Sequence, residues 1–205
     1  MIKFDPHIIE EVRIAKEALF NHGVIAFPTE TVMGLGVLYN DFEAYQKLNK
    51  VKERPEDKPY TMMVDNIEQI EQYAFVNEQV KKIIKAFMPG SLTILLKVKS
   101  DVVPAYVTHG TNIIGIRIPS NIEARELLGA INLPLLVPSA NKSGCAPALT
   151  SKQVEGIFGQ EVDFIMSGEA RGGQASTIVD LTKETPKVVR QGPILEEEII
   201  RVWNS

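Results

Sequence analysis

The stretch Val24-Ile-Ala-Phe-Pro-Thr-Glu-Thr-Val-Met-Gly-Leu-Gly36 decides how the chain is read. Val24 to Phe27 is a short apolar run, the pattern of a strand buried on both faces. Proline ends it, and a polar segment with Gly34 and Gly36 follows. Upstream, Asp5-Pro6 is a capping acid before a proline at the first helical position. Ile8, Val12, Ala15 and Leu19 then recur at helical spacing, and Gly23 fits the stop. The sequence of helix, buried strand and polar loop repeats downstream. Residues 42–51, 67–74 and 78–88 read as helices, the last two behind caps Asn66 and Asn77. Ser120-Asn-Ile-Glu123 and Thr150-Ser-Lys-Gln153 are capping boxes, the first opening a helix to about Leu128. Strands are expected over 60–64, 92–98, 113–118, 134–137, 162–166, 176–181 and 187–190, then a short amphipathic helix over 195–203. With no internal repeat or flexible linker, the expectation is one α/β domain over 1–205. After residue 160 some strands follow one another with no helix between, which predicts a mixed sheet.

Composition bounds the function. The 205 residues are 44% hydrophobic and 23% charged, as in ordinary globular proteins. The 22 Lys and Arg against 26 Asp and Glu leave a net charge of −4, with a pI near 5.5. Such a chain is poorly suited to non-specific binding along nucleic acid, although a local basic patch can still bind a small phosphate ligand. A lone Cys145 excludes a disulfide framework and a cysteine-cluster metal site. The scattered His7, His22 and His109 do not suggest a histidine metal centre. No apolar run approaches the roughly 20 residues that span a bilayer, and the acids near the N-terminus argue against a signal peptide. A reducing cytoplasm is the expected location.

Four polar segments stand where strands begin or end, the usual place for ligands in open α/β sheets. They are Pro28–Gly36, Lys52–Pro59, Pro138–Gly144 and Gln174–Asp180, the last leading to Arg190-Gln-Gly192. Gly34 and Gly36 could admit a ligand close to the backbone, or simply make a turn. Lys52 and Arg54, if extended, point to one side and could clamp a polyphosphate; alternatively they form a solvated basic turn. Ser139 and Asn141 could cap the next element or bind a ligand. Arg117, inside an apolar run, needs a counter-charge or an anionic ligand if buried, and neither if it lies on an edge strand facing water. Cys145 lacks a nearby activating histidine, and no GxSxG or GxxxxGK[ST] sequence occurs.

Seven motifs in order, PTETVMGLG (28–36), KERP (52–55), MPGSLT (88–93), GIRIPS (115–120), PSANKSG (138–144), STIVD (176–180) and RQG (190–192), carry a resemblance. The chain resembles the YrdC domain family, in its short form like the threonylcarbamoyl-AMP synthases (TsaC). The resemblance implies a twisted mixed sheet flanked by helices around a basic cavity. It implies an L-threonylcarbamoyladenylate synthase, a nucleotidyltransferase that joins L-threonine, bicarbonate or CO2, and ATP and releases pyrophosphate. The product serves t6A modification at position 37 of tRNA through a separate transferase complex.

By the same resemblance, Lys52 and Arg54 are the catalytic cations at the nucleotide phosphates. Arg54, Lys58, Ser139, Asn141 and Arg190 match ATP contacts. Thr31, Arg117 and Ser176 match L-threonine contacts, with Arg117 on the carboxylate. Mg²⁺ accompanies ATP, with no protein metal site. The expected partners are the substrates, with tRNA or the transferase complex beyond them and no membrane; the expected assembly is a monomer or weak dimer. Met33, Lys58, Met63 and Ile113 depart from the usual pattern, and 60–77 is similar to the YciO branch. Two alternatives therefore stand beside the synthase: a YciO-like paralogue acting on a related phosphate-containing substrate, and an RNA-binding module with the same basic cavity.

Overall fold

The Val24–Phe27 run becomes strand β1 (Ile25–Phe27), and all three of its residues are buried. The computed structural model describes residues 6–53 and 59–205. Alternation within the run explains its apolar character: Ile25 and Phe27 join one core cluster, Val24 and Ala26 another. The sheet is therefore covered on both sides.

The glycine segment corrects the turn reading. Gly34–Leu38 is strand β2, antiparallel to β1, with Phe27 opposite Gly34 and Ile25 opposite Gly36. A Cβ on Gly36 would lie 2.9 Å from the Phe27 ring, and one on Gly34 2.7 Å from Val137 Cγ1. The missing side chains make room for their neighbours, so here glycine serves packing within a strand.

The remaining strands are β3 (Thr61–Met63), β4 (Leu92–Lys97), β5 (Ile113–Arg117), β6 (Leu135–Leu136), β7 (Phe164–Ile165), β8 (Thr177–Asp180) and β9 (Lys187–Arg190). They form a nine-stranded sheet in the order β7-β1-β2-β6-β3-β5-β4-β8-β9. The pairs β1/β7, β3/β5 and β4/β8 are parallel and the rest antiparallel, giving the expected mixed sheet.

Helices α1 (Pro6–Phe20) and α6 (Ile122–Ile131) cover one face through Ala15, Leu19, Leu127 and Leu128. The other face carries α2 (Phe42–Lys52), α3 (Ile67–Tyr73), α4 (Glu78–Phe87), α7 (Ser151–Phe158) and α8 (Glu196–Trp203). Leu48, Ile70, Ile83, Val154 and Ile199 are their buried contributions. A one-turn helix, α5 (Ala105–Thr108), has no periodic signature and is absent from the sequence reading. Asn66, Asn77 and the Thr150–Gln153 box cap as expected. Asn121, rather than Ser120, caps α6 by accepting from the backbone N–H of Ala124, and α6 runs on to Ile131.

Candidate functional site

A hollow of about 200 Å³ opens at the strand ends between the two halves of the sheet. Thr31, Arg117, Ser139, Ser176 and Arg190 line it together, with Thr29, Met33, Tyr60 and Met63. Segments far apart in sequence therefore supply its wall.

The PTET turn is built by its own hydroxyls. Thr29 Oγ1 donates to the carbonyl oxygen of Val32 at 2.7 Å and accepts from the backbone N–H groups of Thr31 and Val32. This side-chain turn buries both threonines. Across from it, Gly172 has to be glycine: a Cβ there would lie 2.5 Å from the Glu30 carbonyl oxygen. Gly173 N–H then donates to the Thr31 carbonyl oxygen at 2.9 Å, so two distant loops close one wall.

Arg117 ends β5, which lies between β3 and β4, so the edge-strand alternation is resolved by burial: the residue is 4% exposed. Nε donates to the Gly90 carbonyl oxygen at 3.1 Å. Nη2 donates to Glu30 Oε1 at 2.7 Å and Thr31 Oγ1 at 3.0 Å. Glu30 is thus the counter-charge that a buried guanidinium requires. It was not singled out in the sequence, where a carboxylate between two threonines reads as loop surface.

Arg190 mirrors this arrangement. Nε and Nη2 donate to the Ser176 carbonyl oxygen at 3.0 and 2.8 Å, and Nη2 reaches Ser176 Oγ at 3.1 Å. Ser176 Oγ shares a further hydrogen bond with Thr93 Oγ1 at 2.9 Å. Burial holds the Arg190 guanidinium below its ordinary pKa, and the nearby charge of Arg117 adds to the effect. Among the described residues, neither Nη1 has a hydrogen-bond acceptor in the protein. Two cations that repel each other across a hollow and retain donors suit an anionic ligand.

Lys52 is the last residue of α2, and Glu53 turns the chain away at φ 51°. The extended, same-side geometry expected for Lys52 therefore does not occur. Its side chain is buried, and Nζ donates to the carbonyl oxygens of Ser139 and Asn141, the latter at 2.7 Å. Asn141 Oδ1 accepts from Ser139 Oγ at 2.6 Å, while Nδ2 donates to the carbonyl oxygens of Lys142 and Cys145. Lys52 and Asn141 thus shape the turn that presents Ser139. Arg54 and Lys58 lie outside the described residues. Among the described residues, no three His, Cys, Asp or Glu side chains gather as a metal-ligand group. No described helix is long and apolar enough to cross a membrane.

Comparison with known proteins identifies the family. The family profile Sua5_yciO_yrdC, described as "Telomere recombination", matches residues 17–192. The threonylcarbamoyl-AMP synthase of Pyrococcus abyssi is 38% identical over 199 residues, covering 95% of this chain and 58% of that protein. The chain therefore spans little more than half of that relative's length. The uncharacterized protein YciO of Escherichia coli K12 is 30% identical over 179 residues, 87% of each chain. A crystal structure of P. abyssi Sua5 complexed with L-threonine superposes with a TM-score of 0.88 at 35% identity, over 93% of this chain and 56% of that one. With the profile match extending over most of its length, the chain belongs to the Sua5/YciO/YrdC family.

Proposed function

We propose that the protein is an L-threonylcarbamoyladenylate synthase. The observation that carries this reading is the pair Arg117 and Arg190, held in one hollow with donors to spare beside the hydroxyls of Thr31, Ser139 and Ser176. One guanidinium takes the carboxylate of an amino acid and the other takes the nucleotide. The P. abyssi relative with L-threonine bound supports the choice of amino acid.

The chemistry needs alignment more than a nucleophilic side chain. The threonine ammonium loses a proton to solvent, and the free amine attacks bicarbonate or CO2 to form a carbamate, releasing water when bicarbonate is the source and a further proton to solvent when CO2 is. A carbamate oxygen then attacks the α-phosphorus of ATP. The new O–P bond forms as the bond to the bridging oxygen breaks, and pyrophosphate carries that electron pair away. The Arg190 and Arg117 donors neutralise charge on the reacting groups. Ser139, held by Asn141 and Lys52, faces the nucleotide. Arg54 and Lys58 are proposed nucleotide contacts on the basis of family resemblance. Mg²⁺ is best held by carboxylates and water, but the lining of the hollow offers hydroxyls and guanidiniums and, among the described residues, no carboxylate. The described donor set does not fit a protein-held ion; Mg²⁺ enters as part of the MgATP substrate. The product would pass to a transferase that acts on position 37 of tRNA in the cytoplasm.

The test is pyrophosphate release from ATP, Mg²⁺ and bicarbonate, with and without L-threonine. Threonine-dependent release, with threonylcarbamoyl-AMP seen by mass spectrometry, is expected. A rate indifferent to threonine removes the reading. A specific observation favours a second reading: Met33 and Met63 give the hollow an apolar wall, and the YciO relative matches over 87% of both chains. A YciO-like enzyme would use a different amino acid or phosphate compound, and a substrate panel in the same assay separates the two.

A further inference from the structure

We propose that Glu30 makes the Arg117 side of the hollow select a zwitterionic amino acid over a plain carboxylate. This rests on the reading of the hollow as an amino-acid site and assigns a specificity-determining residue within it.

The argument begins with an unbalanced carboxylate. Glu30 Oε1 is bound to Arg117 Nη2, but Oε2 is buried and has no hydrogen-bond partner. Among the described residues it is the one buried carboxylate oxygen left in that state. Buried polar atoms are nearly always paired, and an orphaned one is costly unless a ligand or a change of state supplies its partner. The side chain is 18% exposed, so the carboxylate is only partly screened by water.

Position gives this charge its meaning. Arg117 Nη2 is shared between Glu30 Oε1 and Thr31 Oγ1, and Thr31 lines the hollow. A ligand carboxylate on the remaining Arg117 nitrogen, Nη1, therefore sits within one guanidinium of a fixed negative charge. For a plain carboxylate that charge is repulsive. For an α-amino acid, the ammonium one carbon away is attracted to it. A fixed carboxylate behind the guanidinium therefore favours a ligand that carries a positive group next to its own carboxylate.

The test compares L-threonine with 3-hydroxybutanoate, which keeps the carboxylate and hydroxyl and lacks the amine. Binding is measured by calorimetry in the presence of a non-hydrolysable ATP analogue. The wild-type protein is expected to bind L-threonine at least 10-fold more tightly. Glu30→Gln keeps an acceptor for Arg117 but removes the charge; it should weaken L-threonine at least 10-fold and leave 3-hydroxybutanoate unchanged or tighter. Glu30→Asp should restore much of the preference. Equal affinities for the two ligands in the wild type, or losses by the same factor for both in Glu30→Gln, overturn the proposal while leaving the amino-acid site standing. Binding of neither ligand by the wild type overturns the site reading and the proposal together. The wild-type comparison needs no variant, so a poorly folded Glu30→Gln does not remove the test.

Discussion

Lys52 donates through Nζ to the carbonyl oxygen of Asn141 at 2.7 Å, tying the end of α2 to the turn that follows β6. The Lys52 carbonyl oxygen in turn accepts from the backbone N–H of Ser143 at 3.0 Å. The residue is therefore bonded to that turn through both its side chain and its backbone. Replacing Lys52 with Met keeps the apolar stem but leaves two partly buried carbonyl groups without their donor. We expect a stability loss of at least about 2 kcal/mol, since each unsatisfied buried group costs about 1–3 kcal/mol. Denaturant melts should show this loss, and pyrophosphate release should fall with it. A Lys52→Met protein of wild-type stability would show that the turn holds itself.

Breaking the Arg117–Glu30 pair from the cationic side should be more damaging than neutralising Glu30. Arg117→Met strands a carboxylate in a site that is largely closed to water. Removing one partner of a buried pair typically costs about 3–5 kcal/mol. The expected signature in thermal melts is a large drop for Arg117→Met and a smaller one for Glu30→Gln. The reverse order would mean that Gly90 and Thr31 do not suffice to hold the guanidinium once its counter-charge is gone.

Two glycine replacements should move stability in opposite directions. A Cβ on Gly192 would collide with the backbone nitrogen of Thr177 and lie 2.5 Å from the Ala175 carbonyl oxygen. Backbone cannot step aside like a flexible side chain, so Gly192→Ala should cost about 1–3 kcal/mol and misplace Ser176 and Arg190. Gly129, within α6, has nothing within 4 Å of its added Cβ. Gly129→Ala should stabilise by up to about 1 kcal/mol and leave turnover unchanged. Chemical denaturation of the two variants side by side checks both signs.

His22, at φ 59°, faces Asp41 Oδ2 at 2.8 Å, and Asp41 Oδ1 caps α2. The hydrogen bond to Asp41 raises the His22 pKa above its usual 6.5, with the Asp41 and Glu43 charges contributing further. A raised folded-state pKa means stabilisation that is fully present below the unfolded value and lost as pH rises through the folded value. His22→Asn tolerates the left-handed backbone and removes the titration. The melting-temperature gap between wild type and His22→Asn should therefore be wider at pH 5.5 than at pH 8.5. A gap independent of pH would dissociate His22 from Asp41 in solution.

Much of the scaffold was readable because its signals are local. Apolar runs mark β1, β4 and β5, and Asn66, Asn77 and Thr150 cap helices by contacts within one turn. What escaped the sequence depends on distant neighbours. The β2 strand was hidden by glycines whose purpose is to admit Phe27 and Val137. Whether Arg117 is central or on an edge depends on strand order, which a single strand does not encode. The site followed the same division. Thr31, Ser139, Ser176 and Arg190 stood in motifs and meet in one hollow, whereas Glu30 became visible only through its partner Arg117. Lys52 looked like part of a solvated charge run until the helix carried it inward.

The strand order interleaves early and late parts of the chain: β1 lies between β7 and β2, and β4 between β5 and β8. During synthesis the N-terminal strands leave the ribosome with neighbouring edges still unfilled. Arg190 and the loop that bonds Thr31 come late in the sequence, so the hollow between Arg117 and Arg190 cannot close before residue 190 has been made. Such non-local pairing also slows folding. Nucleotide or amino acid supplied to a refolding chain should therefore accelerate nothing early and should trap only the last docking step.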